Sequence, residues 1–353
     1  LGSVPYGSQH FVEAMRVWLN KKIFIKNLIY KELKRLNPKK RLPKFSYYDH
    51  HYSHAAAAFY PSPFKESVIL CMDGVGEWAT TSAWIGKDKK IDKLWEIKFP
   101  HSLGLIYSAF TAFCGFKVNS GEYKLMGLAP YGKPIYADLI KKELIRIEDD
   151  GSFRLNLKYF IFHHNFKMTN KNFNDLFNIE PREPESEIDE KYLNIAASIQ
   201  NVVSEVVLKI SKNLSENTGI KNLCLSGGVA LNCVANGDLL KENYFRDLWI
   251  QPAAGDAGSC IGAALLKFYE NNKRVIDGED SMKGSYLGPS YKRDSILTSL
   301  KNSNFNFIEF NEKKIFKEVA SLIDKGNVIG LFNGRMEFGP RALGNRSIIG
   351  DPR

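Results

Sequence analysis

The sequence has no uninterrupted apolar run of the roughly 18 residues that a membrane-spanning helix needs. Its longest apolar stretches are broken by Gly, Asp or Lys, so a membrane partner is not expected. Cysteine is scarce: Cys71, Cys114, Cys224, Cys233 and Cys260 are the only five, odd in number and without paired short spacings. Such a set makes a poor disulfide framework and suits small buried side chains in a reducing, cytoplasmic setting. No internal repeat or low-complexity tract is present. No initiator methionine or targeting segment opens the chain, and it stops at Asp351-Pro352-Arg353, directly after a Gly- and Arg-rich motif. The expectation is a fragment of a longer polypeptide.

What is there is ordinary in bulk. The 353 residues allow two or three domains with a sizeable core, and the 44% apolar and 25% charged fractions suit a globular protein. The net charge of +10 raises the question of a polyanion partner. Lysines cluster between Lys21 and Lys40 and between Lys267 and Lys283, which reads first as solvated surface. A phosphate-rich small substrate competes with nucleic acid as its explanation.

Along the chain, residues 10–36 read as one or two basic amphipathic helices and 49–60 as a short Ala-rich helix. Residues 68–72, 80–85 and 92–99 are strand-like, and 102–115 and 122–128 helical. The stretch 148–190 is polar, aromatic and acidic with little periodicity, as in a loop-rich insertion. A long amphipathic helix covers 188–217. Strand, Gly-turn and helix then alternate twice, through N-L-C-L/S-G-G/V-A-L-N-C-V-A-N-G and L-W-I-Q/A-A-G-D-A-G/259–269, an α/β pattern. Residues 272–311 read as a linker with a weak strand, and a new helix–strand unit starts at Glu312.

Four constellations could carry chemistry. In D-H-H-Y-S-H-A, residues 49–55, His50 and His54 are four apart, so a helix stacks both imidazoles on one face. His51 with His54 is the open alternative. Asp73 follows an apolar strand, and with Asp256 it completes a two-His, two-Asp set suited to iron, zinc or manganese better than to calcium. Second, glycine turns follow apolar runs at Gly74, Gly227-Gly228 and Gly255. Bare N–H groups there, with Asn232 one helical turn on, suit a nucleotide. Against this, a tight connection alone also needs glycine. Third, Lys124 in S-G-E-Y-K-L-M-G-L-A-P-Y-G could reach a phosphate, with Glu122 orienting it; a capped helix with a solvated lysine is the plainer alternative. Fourth, Arg335, Arg341 and Arg346 sit in a Gly- and Pro-punctuated turn around Phe338 and Leu343, where guanidinium forks suit phosphate or carboxylate.

In this order the motifs D-H-H-Y-S-H-A, L-C-M-D-G, S-G-E-Y-K-L-M-G-L-A-P-Y-G, L-S-G-G-V-A-L-N, A-G-D-A-G and E-F-G-P-R-A-L-G-N-R-S-I resemble the O-carbamoyltransferases of the NodU/CmcH family. The resemblance implies an α/β protein with actin-like ATPase lobes, akin to the universal tRNA-threonylcarbamoylation protein, and the beginning of a YrdC-like domain. Residues 1–66 would be the remnant of a first lobe and 67–285 a second lobe with its insertion at 148–190. A linker at 286–311 and the start of the carbamoyl-adenylate-forming domain at 312–353 would follow.

It further implies a divalent metal, iron or similar, held by His50, His54, Asp73 and Asp256. A nucleotide, ATP, would meet Gly74, Lys124, Gly227, Gly228 and Asn232, and carbamoyl phosphate would meet Arg335 and Arg341. The product would be a carbamoylated hydroxyl of a sugar or secondary metabolite, and nucleic acid is not an expected partner. The family's usual first strand and its catalytic histidine have no counterpart in this sequence, so no catalytic base is nameable and the fragment is expected to be inactive alone. The alternative is threonylcarbamoyl transfer to tRNA, which the net charge favours and the arginine turn on the same chain disfavours.

Overall fold

The computed structural model describes residues 7–276, 278–303 and 305–352. The first six residues and Arg353, where both ends read as unfinished, lie outside the described residues. Helices α1 (Ser8–Val17) and α2 (Ile25–Leu36) come first, joined by a π-helical turn, and α3 (His50–Phe59) follows. Strands β1 (Glu66–Met72), β2 (Ala79–Lys87) and β3 (Lys90–Lys98) precede α4 (Leu103–Phe113), α5 (Glu122–Leu128) and α6 (Ala137–Glu143). After the small pair β4 (Ile145–Ile147) and β5 (Phe153–Leu155) come α7 (Lys171–Phe177) and the long α8 (Glu190–Thr218). Then β6 (Asn222–Ser226), α9 (Cys233–Glu242), β7 (Asp247–Ile250) and α10 (Asp256–Asn271) alternate. The chain ends with α11 (Arg293–Lys301), α12 (Glu312–Asp324), β8 (Ile329–Phe332) and β9 (Arg346–Ile349).

The fold is α/β, as expected, around a mixed sheet of order β3-β2-β1-β6-β7. β1, β2 and β3 pair antiparallel, whereas β1–β6 and β6–β7 are parallel. The two-residue period of β1 sorts its side chains to two cores. Val68, Leu70 and Met72 face α4 and α8, while Ile69 and Cys71 face α3 and α10. Four consecutive alanines, Ala55–Ala58, are fully buried in α3 and let its backbone approach its neighbours. Helix α8 is long and apolar enough to cross a bilayer by length and composition alone. It is instead the central helix of this core, with Ile195, Ile199, Val202, Val203, Val206 and Ile210 buried.

Two stretches differ from the sequence expectation. Within 148–190, β5 and α7 form, buried Phe173 meets Phe110 and Phe113 edge to face, Phe177 meets Phe110 in the same way, and buried Phe160 packs on Phe173. Elements this short show no periodicity, so the rings carried the signal alone. Within 272–311 the weak strand is absent among the described residues and α11 forms instead, on the spacing of Ile296, Leu297 and Leu300 behind Asp294 in its first turn.

Candidate metal centre

The register of β1 on β6 builds the site. Cys71 faces Ser226 across this parallel pair, so β1 runs out into Asp73-Gly74 beside β6 running out into Gly227-Gly228. β7 ends at the same edge and leads to the turn before Asp256. The carboxyl ends of parallel strands are where α/β sheets hold ligands.

Helix α3 brings His50 and His54 to this edge, and α10 brings Asp256 at its first position. The two imidazole Nε2 atoms are 3.1 Å apart. Asp73 Oδ2 lies 3.0 Å from His50 Nε2 and 3.3 Å from His54 Nε2. Asp256 Oδ1 lies 3.3 and 3.5 Å from the same two nitrogens. All four ligand atoms fall within 4.8 Å of one another. Metal–ligand bonds of about 2.0–2.2 Å separate neighbouring donors by roughly 3–3.5 Å, which is the spacing here. The donor set therefore fits one divalent cation. His54 and Asp73 are buried while Asp256 is exposed, so one side stays open to a further ligand, as a catalytic rather than structural site requires.

The ligands are held from behind. Asp73 Oδ1 accepts from the Gly74 N–H at 2.8 Å and the Gly228 N–H at 3.3 Å, which leaves Oδ2 for the centre. His54 Nδ1 pairs with Ser226 Oγ at 3.3 Å, fixing the ring so that Nε2 points inward. His51 turns away: its Nδ1 lies 2.7 Å from Ser82 Oγ, so the histidine pair is 50 with 54 and not 51 with 54.

The four groups shift one another's titration. His50 is pushed up to about 10 by its bonds to Asp256 and Asp73, against the opposing effect of burial. Burial pulls His54 down, but the same carboxylates outweigh it and raise it. Asp256 is drawn down to about 2 by the two histidines. Burial opposes the charge on Asp73, yet the histidine bonds hold it well below the usual carboxylate range.

Because His50 titrates above its ordinary 6.5 and Asp256 below its ordinary 3.8, the cluster supports the fold fully between those two values and loses that support as the pH rises toward 10 or falls toward 2. Cation binding runs opposite to that alkaline loss, since each imidazole must shed its proton first. Binding is expected to tighten from acid to alkaline pH and to release about one to two protons per ion at neutral pH. Calorimetric titration in buffers of different ionisation enthalpy counts them, and zero release would contradict the cluster.

The other expected site residues are placed differently from one another. The Gly227 N–H donates to Ala254 O at 2.9 Å, and the N–H groups of Gly74 and Gly228 are spent on Asp73, so Gly74 and Gly228 orient the carboxylate. Gly227 itself has a φ of +87°, and a Cβ there would lie 2.1 Å from Met72 O, so glycine is required. Asn232 caps α9 by accepting from the Ala235 N–H at 3.1 Å, and its amide is locked to Gln200 at 3.0 and 3.1 Å.

Lys124 is exposed on α5, outside the histidine–aspartate cluster. Glu122 does not orient it: its carboxylate accepts from Ser108 Oγ and from the Asn119 N–H, both at 2.8 Å, which pins the start of α5. Arg335 donates to Gly288 O at 3.1 Å, and Arg341 donates to Leu231 O at 2.6 Å, one residue before Asn232. Arg346 stacks on Phe332, 3.4 Å from the ring centre.

Sequence reasoning passed over Ser226, Gln200 and Glu337. Only Glu337 had a visible signal, as the sole acid inside the arginine turn. Its burial opposes ionisation, yet backbone N–H donors from Asn345, Leu343 and Arg346 hold it down to about 2.

Comparison with known proteins gives the family. The sequence model described as carbamoyltransferase N-terminus matches residues 1–265, and that described as carbamoyltransferase C-terminus matches residues 320–353. An uncharacterized protein of Synechocystis is 53% identical over 100% of this chain and 58% of its own length. The nodulation protein NolNO of Sinorhizobium fredii is 34% identical over 96% of this chain and 48% of its own. NolO of Bradyrhizobium diazoefficiens is 33% identical over 86% and 53%. The chain thus spans about half to three-fifths of these relatives. A solved structure of full-length HypF in a phosphate- and nucleotide-bound form aligns over 67% of this chain and 37% of its own, at 14% identity and a TM-score of 0.36. The chain belongs to the carbamoyltransferase family.

Proposed function

We propose that this chain is the metal- and nucleotide-holding part of an O-carbamoyltransferase. Its donor is carbamoyl phosphate, activated with ATP as carbamoyl-adenylate, and its acceptor is a hydroxyl of a sugar or secondary metabolite. The observation that carries this reading is the convergence of His50, His54, Asp73 and Asp256 at the strand ends where two glycine turns also emerge.

The divalent cation those four residues would hold supplies charge neutralisation at phosphate oxygens as AMP departs. The acceptor hydroxyl oxygen would attack the carbonyl carbon of the carbamoyl-adenylate. The new C–O bond forms as the bond from that carbon to the AMP oxygen breaks, AMP leaves as the anion, and the hydroxyl proton passes to solvent. The adenylate would lie along the turn at Gly227-Gly228 and the Asn232 cap. Helix α5 itself reaches this region, since Met126 touches Cys233 beside Asn232 with sulfurs 3.7 Å apart, and Lys124, exposed on the same helix, would have to swing toward the phosphates to meet them. The arginine turn supports one continuous site. Arg341 is bonded to Leu231 of the same loop, and a Cβ on Gly339 would stand 2.7 Å from Pro252 O, so the turn packs against both loops that flank the cluster.

Threonylcarbamoyl transfer to tRNA remains the second reading, on the strength of the +10 charge. Protein from the full reading frame, incubated with ATP and carbamoyl phosphate, is expected to yield 5′-carbamoyl-adenylate and a carbamoylated sugar by mass spectrometry. Failure to form either, together with tight and steeply salt-dependent tRNA binding, would transfer the assignment to the second reading.

A further inference from the structure

The chain's positive charge is not spread over its surface. Residues 16–44 hold eleven lysines and arginines against one acid, Glu32, so this stretch carries the entire net +10 and the rest of the chain is neutral. Glu32 is itself bridged to Arg35 at 2.8 Å. Residues 11–29, which overlap this stretch, carry a dense set of exposed large apolar side chains. Phe11 is 63% exposed, Trp18 53%, Ile23 55% and Phe24 50%, with Leu19, Ile25, Leu28 and Ile29 exposed beside them.

The two kinds of residue are segregated along α2. Ile25, Leu28, Ile29, Leu33 and Leu36 recur at helical spacing on one face, and Lys26, Lys31, Lys34 and Arg35 stand off it. Upstream, Phe11, Met15 and Trp18 continue an apolar stripe through α1, with Arg16, Lys21 and Lys22 flanking. The segment is held in part by its own tail, where Tyr30 packs on Phe45 with ring centres 4.8 Å apart and Lys34 donates to Pro38 O and Lys40 O, while α1 borders Phe166 through Ser8, Val12 and Glu13.

We propose that residues 8–44 are an interfacial anchor that lays this protein on an anionic lipid bilayer. A helix rich in Lys and Arg on one face and in Trp, Phe and aliphatic residues on the other is the form that inserts its apolar side at the headgroup–acyl boundary. The cations then meet lipid phosphate and carboxylate groups. Nucleic acid would satisfy the charge, but it leaves Phe11, Leu19, Ile23, Ile25, Leu28 and Ile29 in water. A second copy would set two surfaces of +10 against each other, and the remainder of the chain has no net negative charge to answer them.

The test uses protein from the full reading frame and vesicles of phosphatidylcholine with or without about one-third phosphatidylserine. Sedimentation with the acidic vesicles is expected to exceed that with neutral ones at least about tenfold, and to collapse at roughly 0.5 M salt, where charges are screened. Trp18 fluorescence is expected to shift to the blue on binding, a signal that Trp18→Phe removes. Combined Lys21→Glu, Lys22→Glu and Lys26→Glu should abolish the preference for acidic lipid. Combined Trp18→Ser and Phe24→Ser should weaken binding to both kinds of vesicle. All five side chains are exposed, and circular dichroism checks that the variants fold. Equal binding to both vesicle types would overturn the proposal. So would no vesicle binding with residues 8–36 protected from protease in free protein, which means the polypeptide covers its own face. Tight tRNA binding without vesicle binding would overturn it as well.

Discussion

Replacing His54 by alanine is expected to abolish divalent-cation binding at the proposed centre. His54 is fully buried, and its Nε2 faces His50, Asp73 and Asp256 at 3.1, 3.3 and 3.5 Å. Four-ligand sites bind zinc with about 10–16 kcal/mol, or roughly 3 kcal/mol per ligand, so losing one costs at least about a hundredfold in affinity. The structural consequence is also unfavourable, because the variant leaves the buried Asp73 carboxylate with one fewer partner. His51→Gln is the discriminating control. His51 is the nearest histidine in sequence and is equally buried, but its ring is bonded to Ser82, so its replacement should leave metal content unchanged. Elemental analysis of purified protein decides the matter. Metal retained in the His54 variant, or lost equally from the His51 variant, would remove the cluster from the mechanism.

How much of this was legible beforehand follows from the range of the signals. The His50–His54 pair was readable because helix geometry alone puts residues four apart on one face. Asp73 was readable because an apolar run ended in Asp-Gly. Asp256 lies some two hundred residues from the histidines, and no local rule joins them. Its assignment rested on the order of the motifs, and the parallel pairing of β1 with β6 and β6 with β7 supplies the physical reason.

The glycine turns were found for the right conformational reason, yet their N–H groups are bonded to Ala254 and Asp73. A sequence shows that a backbone donor exists but not what it donates to. Asn232 illustrates the same limit: its polarity was visible, whereas its lock to Gln200 depends on α8 packing against α9. The aromatic stretch 148–190 failed as a pattern because Phe160, Phe173 and Phe177 enter the core from a bridge and a seven-residue helix, too short for any period to register.

Gly262→Val is expected to be strongly destabilising, in the helix that carries Asp256. A Cβ at this position would stand 1.8 Å from Ser53 O and 2.6 Å from Ala57 N, both backbone atoms of α3. Neither can move aside as a side-chain tip would, so the helices must part. Overpacking of this kind costs typically 1–3 kcal/mol, and a clash with backbone belongs at or above the upper end. The cost is also functional, because α3 carries His50 and His54 while α10 carries Asp256. Pushing the two apart enlarges the 3.3 and 3.5 Å gaps between Asp256 and the histidines, so metal affinity should fall together with the unfolding temperature. Gly237→Ala in α9 provides the opposite sign. Nothing lies within 4 Å of a Cβ there, and relieving glycine's conformational freedom in a helix stabilises by about 0.5–1 kcal/mol. Thermal unfolding with and without added divalent cation measures both. Should Gly262→Val melt like the parent and still bind its metal, α3 and α10 would not be packed backbone to backbone, and the geometry that joins Asp256 to the two histidines would be wrong.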